Sequence, residues 1–463
     1  MSFALHKEKL PVEWRGKTTW MVGLGFLLWW LFNYESHQPN NLTWGGRTPI
    51  DFYIYYLAGQ DIAQGHNLYD GAILKGLPFT YPPFSGALFS LFSRWPVETA
   101  AILWQLLSFL ALIAVIFAVM AERKIKITAP VAFIAVGLAF ASITLDAVKG
   151  TFVFGQINLF LMLLVAMDLL PVKRPWAGVG VGLAAGVKLT PAFMGLNFLV
   201  ERNWRAAVVS VCTFLITVAI GFSFVPDAKK FWTEAIFDSE RVGVEENTGA
   251  QAIKAVLFRE FGEVQGWLWL TLVAVVFIFC VLGLIRSLGL GNKSFAMVLS
   301  GITAALVSPF SWFHHWVWLV PLGVCIACFF NEKFEAFRLR KQWNGFGGWI
   351  YSQLGALIAM AVLTLVMIPF LSRPLTDYLG YNHPVQSPYW WWRESFLYTG
   401  ALLVVGYGLF ALVMMIKNRR ILPVRKSEEY PAGSERSDLV DTSTNSGVQH
   451  AALPATGASR LRH

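Results

Sequence analysis

Charged residues are scarce in this chain. They make up 14% of its 463 residues, whereas an ordinary soluble domain carries about a quarter. Hydrophobic residues make up 56% and are gathered into long runs, two of which, 18–34 and 268–285, contain no charge at all. A membrane core of ~30 Å needs about 20 apolar residues in one helix. This composition excludes an ordinary soluble protein and predicts an integral membrane protein with many spans.

Cysteine is also rare. Cys212, Cys280, Cys325 and Cys328 all lie inside apolar runs, which favours small buried residues over disulfide partners. Cys325 and Cys328 have CxxC spacing, but no second pair or histidine cluster accompanies them, so we do not predict a zinc site. A P-loop, a dinucleotide-binding glycine motif, HExxH and GxSxG are missing. ATP-driven, metalloprotease and serine-hydrolase chemistry therefore lack support.

The basic residues indicate the orientation of the chain in the membrane. Lys and Arg outnumber Asp and Glu by 37 to 28, for a net charge of +9, and they lie mainly between apolar runs. With the N-terminus inside, the inner segments carry 20 of them and the outer connections carry 11. Cytoplasmic loops show this excess. We therefore predict a plasma-membrane protein with both termini in the cytoplasm, and no nucleic-acid partner.

Apolar runs predict the following spans: 18–34, 98–121, 129–147, 156–170, 205–225, 267–286, 294–310, 316–330, 346–370 and 396–416. The segment 175–201 differs, because the sequence KLTP at 188–191 interrupts it and leaves halves of about 12 residues, too short for a span. We predict a broken hairpin of two short or re-entrant helices beside protein or a water-filled cavity. The fold class is an all-α polytopic membrane protein with about 10–12 transmembrane or re-entrant helices.

Three long connections fall on the predicted outer side: 35–97, 226–266 and 371–395. The third contains the aromatic run Tyr389–Trp392, and such residues favour the membrane boundary. The end of the chain is rich in Ser, Gly, Glu and Thr, a composition typical of disorder. The predicted domains are a cytoplasmic N-terminus at 1–17, a transmembrane catalytic domain at 18–423 and a disordered cytoplasmic tail at 424–463.

The first outer connection carries an acidic residue among aromatics, Asp51 in the run DFYIYY. A carboxyl group in such surroundings is expected to have a raised pKa through desolvation, which suits a general base. Asp51 could instead cap a short interfacial helix. The other outer carboxylates, Asp146, Asp227, Glu234 and Asp238, are interpreted as ordinary loop charges.

Two adjacent histidines, His314 and His315, fall at a predicted outer turn in the sequence SPFSWFHHW. They could hold a phosphate, act in acid–base chemistry or bind a metal. They could equally form an interfacial pair hydrogen-bonded to the backbone. Neighbouring residues on a helix point about 100° apart, so we do not expect both to bind one metal.

Further polar groups lie at other helix ends and in the hairpin. Gln156 and Asn158 begin a span on the outer side, where they could bind sugar hydroxyls or cap the helix. Lys188 is a lone cation in an apolar hairpin, a functional candidate by default, although its amine could also extend to the membrane surface. Arg241 and Lys254 are weaker anion-binding candidates and are otherwise solvated loop charges.

Six motifs, in order along the chain, resemble glycosyltransferase family 87. They are Asp51 with its aromatics, LPFTYPPF at 77–84, FGQIN at 154–158, GLAAGVKLTP at 182–191, RVG at 241–243 and SPFSWFHHWVWLVP at 308–321. The likeness runs from about residue 45 to 325 and is nearest to the polyprenyl-phosphate-mannose-dependent α-1,2-mannosyltransferases of the family. Phe313 departs from the pattern, since relatives often carry a polar residue before the histidine pair.

The resemblance implies a GT-C fold with a catalytic cavity beneath outer loops, on the extracytoplasmic side. It implies a polyprenyl-phosphate-mannose donor in the membrane and a glycolipid acceptor: a phosphatidylinositol mannoside, lipomannan or lipoarabinomannan. It maps the catalytic residues onto Asp51, His314 and His315. A cationic site for the donor phosphate is expected at Lys188, Arg241 and His315, with no metal or other cofactor. Sugar or acceptor contacts are expected at Tyr55, Tyr81, Gln156, Asn158 and Trp312.

Two alternatives stay open. An arabinofuranosyltransferase of the same family would use decaprenyl-phosphate-arabinose as its donor. A flippase or transporter for a lipid-linked sugar would share the spans, the broken hairpin and the buried polar groups. Such transporters often contain inverted repeats, and the sequence shows no internal repeat. This absence and the long aromatic outer loops favour an enzyme.

Overall fold

The computed structural model describes residues 17–35, 48–171, 174–340, 361–371 and 393–418, and three single positions between 341 and 360. In that part of the chain the helices include α1 Lys17–Glu35, α2 Ile50–Ala63, α3 Pro83–Phe89, α4 Val97–Glu122, α5 Ala129–Ser142, α6 Asp146–Phe154, α7 Asn158–Leu169, α8 Val179–Val187, α9 Gly195–Val200, α10 Trp204–Phe224, α11 Ala228–Thr233, α12 Ile253–Phe261, α13 Gly266–Gly289, α14 Lys293–Val307, α15 Leu319–Arg340 and α16 Ser395–Asn418. A further short apolar helix covers Ala361–Phe370. Two short strands, β1 Ala72–Leu74 and β2 Leu77–Pro78, form an antiparallel pair. The predicted helical fold class is confirmed.

Four helices, α4, α10, α13 and α16, are long and apolar enough to cross a membrane, or five spans if α6 and α7 are counted as one, within the described ranges. The predicted spans at 98–121, 205–225, 267–286 and 396–416 match these four helices to within about three residues. The chain is therefore a multi-pass membrane protein. The segment 1–16, most of 346–360, the aromatic run at 389–392 and the tail 424–463 lie outside the described residues. The domain boundaries therefore stay predictions.

The cysteines follow the orientation of their helices. Cys280, Cys325 and Cys328 are buried free thiols, as the sequence predicts. Cys212 is exposed, so its interpretation as a buried residue is wrong. The physical reason is the placement of α10, which turns large apolar side chains such as Leu215 outward, as a lipid-facing helix does.

A sharp bend joins α6 and α7, whose axes differ by 118°. The predicted span at 129–147 is shorter than expected, because α5 ends at Ser142 and α6 starts a separate short helix. Gly155 ends α6 with a φ of +71°, a conformation that favours glycine. A Cβ atom there would lie 2.6 Å from the Cβ atom of Phe52. The indole of Trp104 on α4 donates to the carbonyl oxygen of Gly155 at 2.9 Å, which satisfies a group that the bend leaves open.

The segment 175–201 is interrupted at Lys188, where its sequence predicts a break. Helix α8 ends before Lys188, whose backbone is extended, and a 3₁₀ turn and α9 follow. Pro191 lies at the start of that turn, where its missing N–H group costs no internal hydrogen bond. The guanidinium of Arg174 pairs with Glu201 at 2.7 Å, joining the two ends of the segment. The break therefore places one cationic side chain at the centre of an apolar hairpin.

An aromatic core holds α2 against α3 and α4. The rings of Tyr55 and Phe89 stack at a centroid distance of 4.7 Å, and Phe52 lies 5.5 Å from Trp104. Such ring pairs contribute about 0.5–1.5 kcal/mol each beyond the burial of their surface. Helix α2 thus has a fixed position, and Asp51 lies in its first turn.

The first two long connections contact each other. The carboxylate of Asp227 accepts the backbone N–H groups of Leu68 at 3.0 Å and Tyr69 at 2.6 Å. Lys230 pairs with Asp70 at 3.0 Å in the same contact. The interpretation of Asp227 as an ordinary loop charge is wrong, because its two hydrogen bonds join segments 35–97 and 226–266.

Candidate active site

A cavity of about 630 Å³ lies beside α2. Its other walls are the segments 77–82 and 231–242, the break at Lys188, and the segment 307–315 that ends in the two histidines. Most of the site residues predicted from the sequence line it: Asp51, Tyr55, Tyr81, Gln156, Lys188, Arg241, Trp312 and His315. Asn158 lines a smaller cavity that Lys188 and His315 also border. His314 lines neither of the two.

Asp51 lies in the first turn of α2, after Pro49. No side chain caps this helix by a hydrogen bond, so the capping interpretation of Asp51 is wrong. Its carboxylate instead accepts a short hydrogen bond from the side-chain amide of Gln156. Burial raises the pKa of Asp51 to about 6, while the Gln156 hydrogen bond and the charge of Lys188 oppose the rise. Asp51 is therefore more basic than an ordinary aspartate and still largely ionised at neutral pH.

Two tyrosines fix the amide that contacts Asp51. The hydroxyl of Tyr81 donates to the Oε1 atom of Gln156 at 2.9 Å, and the hydroxyl of Tyr55 lies 2.8 Å from that of Tyr81. Because the tyrosine hydroxyls occupy Oε1, the Nε2 group of Gln156 points at Asp51. Gln156 makes no capping bond to α7, so the capping interpretation is wrong for this residue too. The two tyrosine hydroxyls and the Gln156 amide are therefore hydrogen-bonded within the protein, and the amide holds the Asp51 carboxylate.

Lys188 and His315 form the second polar centre of the cavity. The Lys188 Nζ atom lies 2.8 Å from His315 Nε2, donates to Asn158 Oδ1 at 3.1 Å, and sits 5.3 Å from the ring centre of Tyr81. The amine is therefore held inside the protein rather than extended to the membrane surface. The Nδ1 atom of His315 accepts the backbone N–H of Trp312 at 3.2 Å. Burial, and then the charge of Lys188, hold the pKa of His315 well below its usual range.

His314 has different surroundings from His315. It is only 4% exposed, and its ring stacks with Trp312 and contacts Phe154 and Phe313. Neither ring nitrogen has a hydrogen-bond partner. Its backbone carbonyl, by contrast, accepts the Asn158 amide at 2.8 Å. In the structure His314 is hydrogen-bonded to the site through its backbone, and a catalytic role for its ring stays a prediction.

The departure at Phe313 has a packing explanation. A Cβ atom added at Gly150 on α6 would lie 2.6 Å from the Phe313 ring. The ring also makes an edge contact with Phe154 at a centroid distance of 6.4 Å. An apolar residue therefore fits this position, because the aromatic side chain packs directly on the small residue of α6.

The loop that follows α11 forms another wall of the cavity. Arg241 lines it, is half-buried, and donates to the carbonyl oxygen of Phe79 at 3.3 Å. Asp238 and Ser239 line the same wall, although the sequence interpretation treated Asp238 as a loop charge. Lys254 does not border this cavity and pairs with Glu245 at 2.7 Å. Asp238 lies three residues before Arg241 in the sequence. This spacing was the one local signal that could have identified Asp238 as a cavity residue.

The described part of the chain contains no group of three or more His, Cys, Asp or Glu side chains placed to hold a metal ion. The cations of the cavity are Lys and Arg, which can balance the charge of a phosphate directly. A reaction without metal stays a prediction.

Comparison with known proteins gives a consistent set of relatives. Residues 79–309 match the model of glycosyltransferase family 87. A polyprenol-phosphate-mannose-dependent α-(1-2)-phosphatidylinositol mannoside mannosyltransferase of Mycobacterium tuberculosis is 28% identical over 86% of this chain and 91% of the relative. The Mycolicibacterium smegmatis protein of the same name is 31% identical over 75% of this chain and 82% of the relative. A polyprenol-phosphate-mannose-dependent α-(1-2)-phosphatidylinositol pentamannoside mannosyltransferase of M. tuberculosis is 33% identical over 60% of this chain and 66% of the relative. No solved structure matches the chain.

Proposed function

Since the chain belongs to glycosyltransferase family 87, and is therefore a glycosyltransferase, we propose that it transfers mannose from a polyprenyl-phosphate-mannose donor to a phosphatidylinositol mannoside. The new linkage is α-1,2. The names of the relatives support this donor, acceptor class and linkage. The observation that carries the proposal is that Asp51 and the Lys188–His315 pair line the same cavity. Membership of the family confirms the resemblance seen in the six motifs and favours an enzyme over a transporter.

The reaction needs one base. A β-linked sugar phosphate that gives an α-glycoside is inverted at the anomeric carbon, which a single displacement achieves. The acceptor hydroxyl attacks that carbon, its proton passes to the carboxylate of Asp51, and the bond to the donor phosphate breaks. The raised pKa of Asp51 supports this role, because a base is most effective when its pKa approaches the working pH.

Phosphate is the leaving group, and it gains negative charge as the bond breaks. Lys188 and His315 lie 2.8 Å apart on the cavity wall and bind that phosphate, together with the Arg241 guanidinium. His315 acts as a neutral imidazole. Burial lowers the pKa of Lys188 to about 7, and a bound phosphate favours the charged form of its amine. Fixed cations in a site that excludes water stabilise such charge strongly. Because phosphate already departs readily, no general acid is required.

The substrates approach from the membrane on its extracytoplasmic side. Residues 77–82 and 231–242 line the cavity, and they belong to segments that the excess of basic residues elsewhere in the chain predicts to lie on the outer face. Within the cavity, Trp312 offers an aromatic face to a sugar ring. Tyr55, Tyr81, Gln156 and Asn158 act chiefly by holding Asp51 and Lys188 in place.

The proposal is tested by a transfer assay with purified, detergent-solubilised full-length protein. Polyprenyl-phosphate-mannose and decaprenyl-phosphate-arabinose are each offered with a phosphatidylinositol mannoside and with lipomannan. We expect mannose transfer to the phosphatidylinositol mannoside and a product cleaved by an α-1,2-specific mannosidase. Arabinose transfer, transfer only to lipomannan, or no transfer in the absence of a sealed membrane would each contradict the proposal. Asp51→Asn protein serves as the inactive control.

A further inference from the structure

Arg259 on α12 is a buried arginine whose five N–H donors are all used. Its Nε and Nη2 groups bind both carboxylate oxygens of Glu394, which precedes α16. The remaining donors reach three backbone carbonyl oxygens, those of Glu245, Asn247 and Ala250, each at 2.9 Å. Arg259 is 6% exposed and Glu394 is fully buried. The 245–250 loop is therefore wrapped around one guanidinium.

This loop pairs in turn with the segment that precedes the histidines. Ala250 and Trp312 form an antiparallel bridge. The backbone N–H of Phe313 donates to Gly249 at 2.8 Å, and that of Gln251 donates to Ser311 at 2.6 Å. These backbone contacts fix the 245–250 loop relative to residues 311–313, so a shift of the loop also shifts those residues.

Residues 311 and 312 hold the ring of His315. Its Nδ1 atom lies 3.2 Å both from the hydroxyl of Ser311 and from the backbone nitrogen of Trp312, and its Nε2 atom faces Lys188. A short chain of contacts therefore leads from Arg259 to the imidazole.

We propose that Arg259 is a positioning residue for the donor-phosphate end of the cavity: its guanidinium fixes the 245–250 loop, and through that loop the orientation of His315. The inference rests on the proposed function, in which His315 contacts the donor phosphate. Arginine suits this role because its planar fork binds a carboxylate and several carbonyl groups at once, whereas lysine offers three donors from a single point.

Two substitutions distinguish the hydrogen-bonding geometry of the Arg259 guanidinium from its positive charge. Arg259→Lys keeps the charge opposite Glu394 but cannot reach the three loop carbonyl oxygens together. Glu394→Gln removes the charge of the partner and leaves those three hydrogen bonds in place. Lys230→Gln removes an ion pair of the outer connections that does not involve the 245–250 loop, and is the matched control.

The measurement is steady-state mannose transfer by each purified full-length variant, with donor and acceptor varied separately. Displacement of a substrate-positioning group by about 1 Å costs up to ~100-fold, so we expect Arg259→Lys to raise the donor KM at least about tenfold. The acceptor KM should not change, and Glu394→Gln and Lys230→Gln should keep the donor KM of the wild-type protein. An unchanged donor KM in Arg259→Lys, or an equal rise in both Arg259→Lys and Glu394→Gln, would overturn the inference.

Two further variants keep the inference testable. Should Arg259→Lys fail to fold, Gly249→Ala perturbs the same loop directly, since its Cβ atom would lie 3.1 Å from the Trp312 ring. It should raise the donor KM, and a wild-type value would overturn the inference. His315→Gln is the reference: its donor KM should rise, and its combination with Arg259→Lys should be less than additive. Fully additive effects would also overturn the inference. Failure of the proposed function is recognised separately, as an absence of mannose transfer by the wild-type protein.

Discussion

The side-chain amide of Gln156 donates a hydrogen bond to the carboxylate of Asp51, although the two residues are 105 positions apart in the sequence. The bend at Gly155 makes this contact possible, because it brings the start of α7 against the first turn of α2. Tyr81 orients the amide, so that it presents its donor rather than its acceptor. The Asp51 carboxylate is therefore held by groups from two other segments of the chain.

Removal of the Asp51 carboxylate should abolish transfer. Asp51→Asn keeps the size of the side chain but cannot take a proton, and general bases contribute about 10²–10⁴-fold. We expect turnover of the purified variant to fall by that factor while the protein still folds and binds donor. Asp61→Asn, at a half-buried position near the end of the same helix and outside the cavity, is the control and should remain active. Retention of more than roughly a tenth of wild-type turnover in Asp51→Asn would move the base elsewhere.

The pH dependence should report the ionisation of Asp51. Only the ionised carboxylate accepts a proton, so kcat/KM should fall about tenfold per pH unit below the pKa of about 6. Gln156→Leu removes a hydrogen bond that lowers this pKa, so the acidic limb should move to higher pH. Rates measured from about pH 4.5 to 8 test both statements. A limb near the ordinary aspartate value, or a shift to lower pH in Gln156→Leu, contradicts this account.

The two histidines should differ in sensitivity. His315 faces Lys188 in the cavity, so His315→Phe should raise the apparent donor KM by about tenfold or more, in keeping with loss of a charge-assisted contact. His314→Phe places an apolar ring where the imidazole makes no hydrogen bond, and should remain close to wild type. Donor kinetics of the two purified variants settle the comparison. Equal loss in both would show that the His314 ring also takes part.

The bend before α7 should depend on glycine. Gly155→Ala combines a positive φ with a Cβ atom 2.6 Å from Phe52, and we expect a loss of about 1–3 kcal/mol in stability together with lower activity. Gly195→Ala is the matched control, because it has an ordinary helical conformation and no atom within 4 Å of the added Cβ. It should be neutral or slightly stabilising. Thermal unfolding and turnover of the two proteins provide the measurement, and equal midpoints would refute the argument.

The orientation in the membrane can be tested by labelling. Cys212 is the exposed cysteine of the described residues and is first replaced by serine. Single cysteines placed at His66 and Glu246, both exposed and both in connections predicted to lie outside, should then react with an impermeant thiol reagent on intact cells. A cysteine in the 424–463 tail should react only after the cells are opened. Labelling in the reverse pattern would invert the topology.

Hydropathy was sufficient for α4, α10, α13 and α16 and for the break at Lys188, because these are local properties of the sequence. It was not sufficient for α15, which continues ten residues beyond the predicted span 316–330. The predicted end points of α4 and α10 lie within one residue of those in the structure. The pairing of Arg259 with Glu394 was not predictable, since it joins positions 135 residues apart that share no local pattern. The difference between the two histidines likewise depends on side-chain directions in a 3₁₀ turn, which composition does not encode.

The order of the cavity residues along the chain has a consequence for biosynthesis. Asp51 leaves the ribosome early, Lys188 and Arg241 follow much later, and His315 emerges only after α14. A partly made or truncated protein therefore contains Asp51 without Lys188, Arg241 or His315. Under the proposed function, glycosyl transfer requires a chain that has been made at least as far as His315.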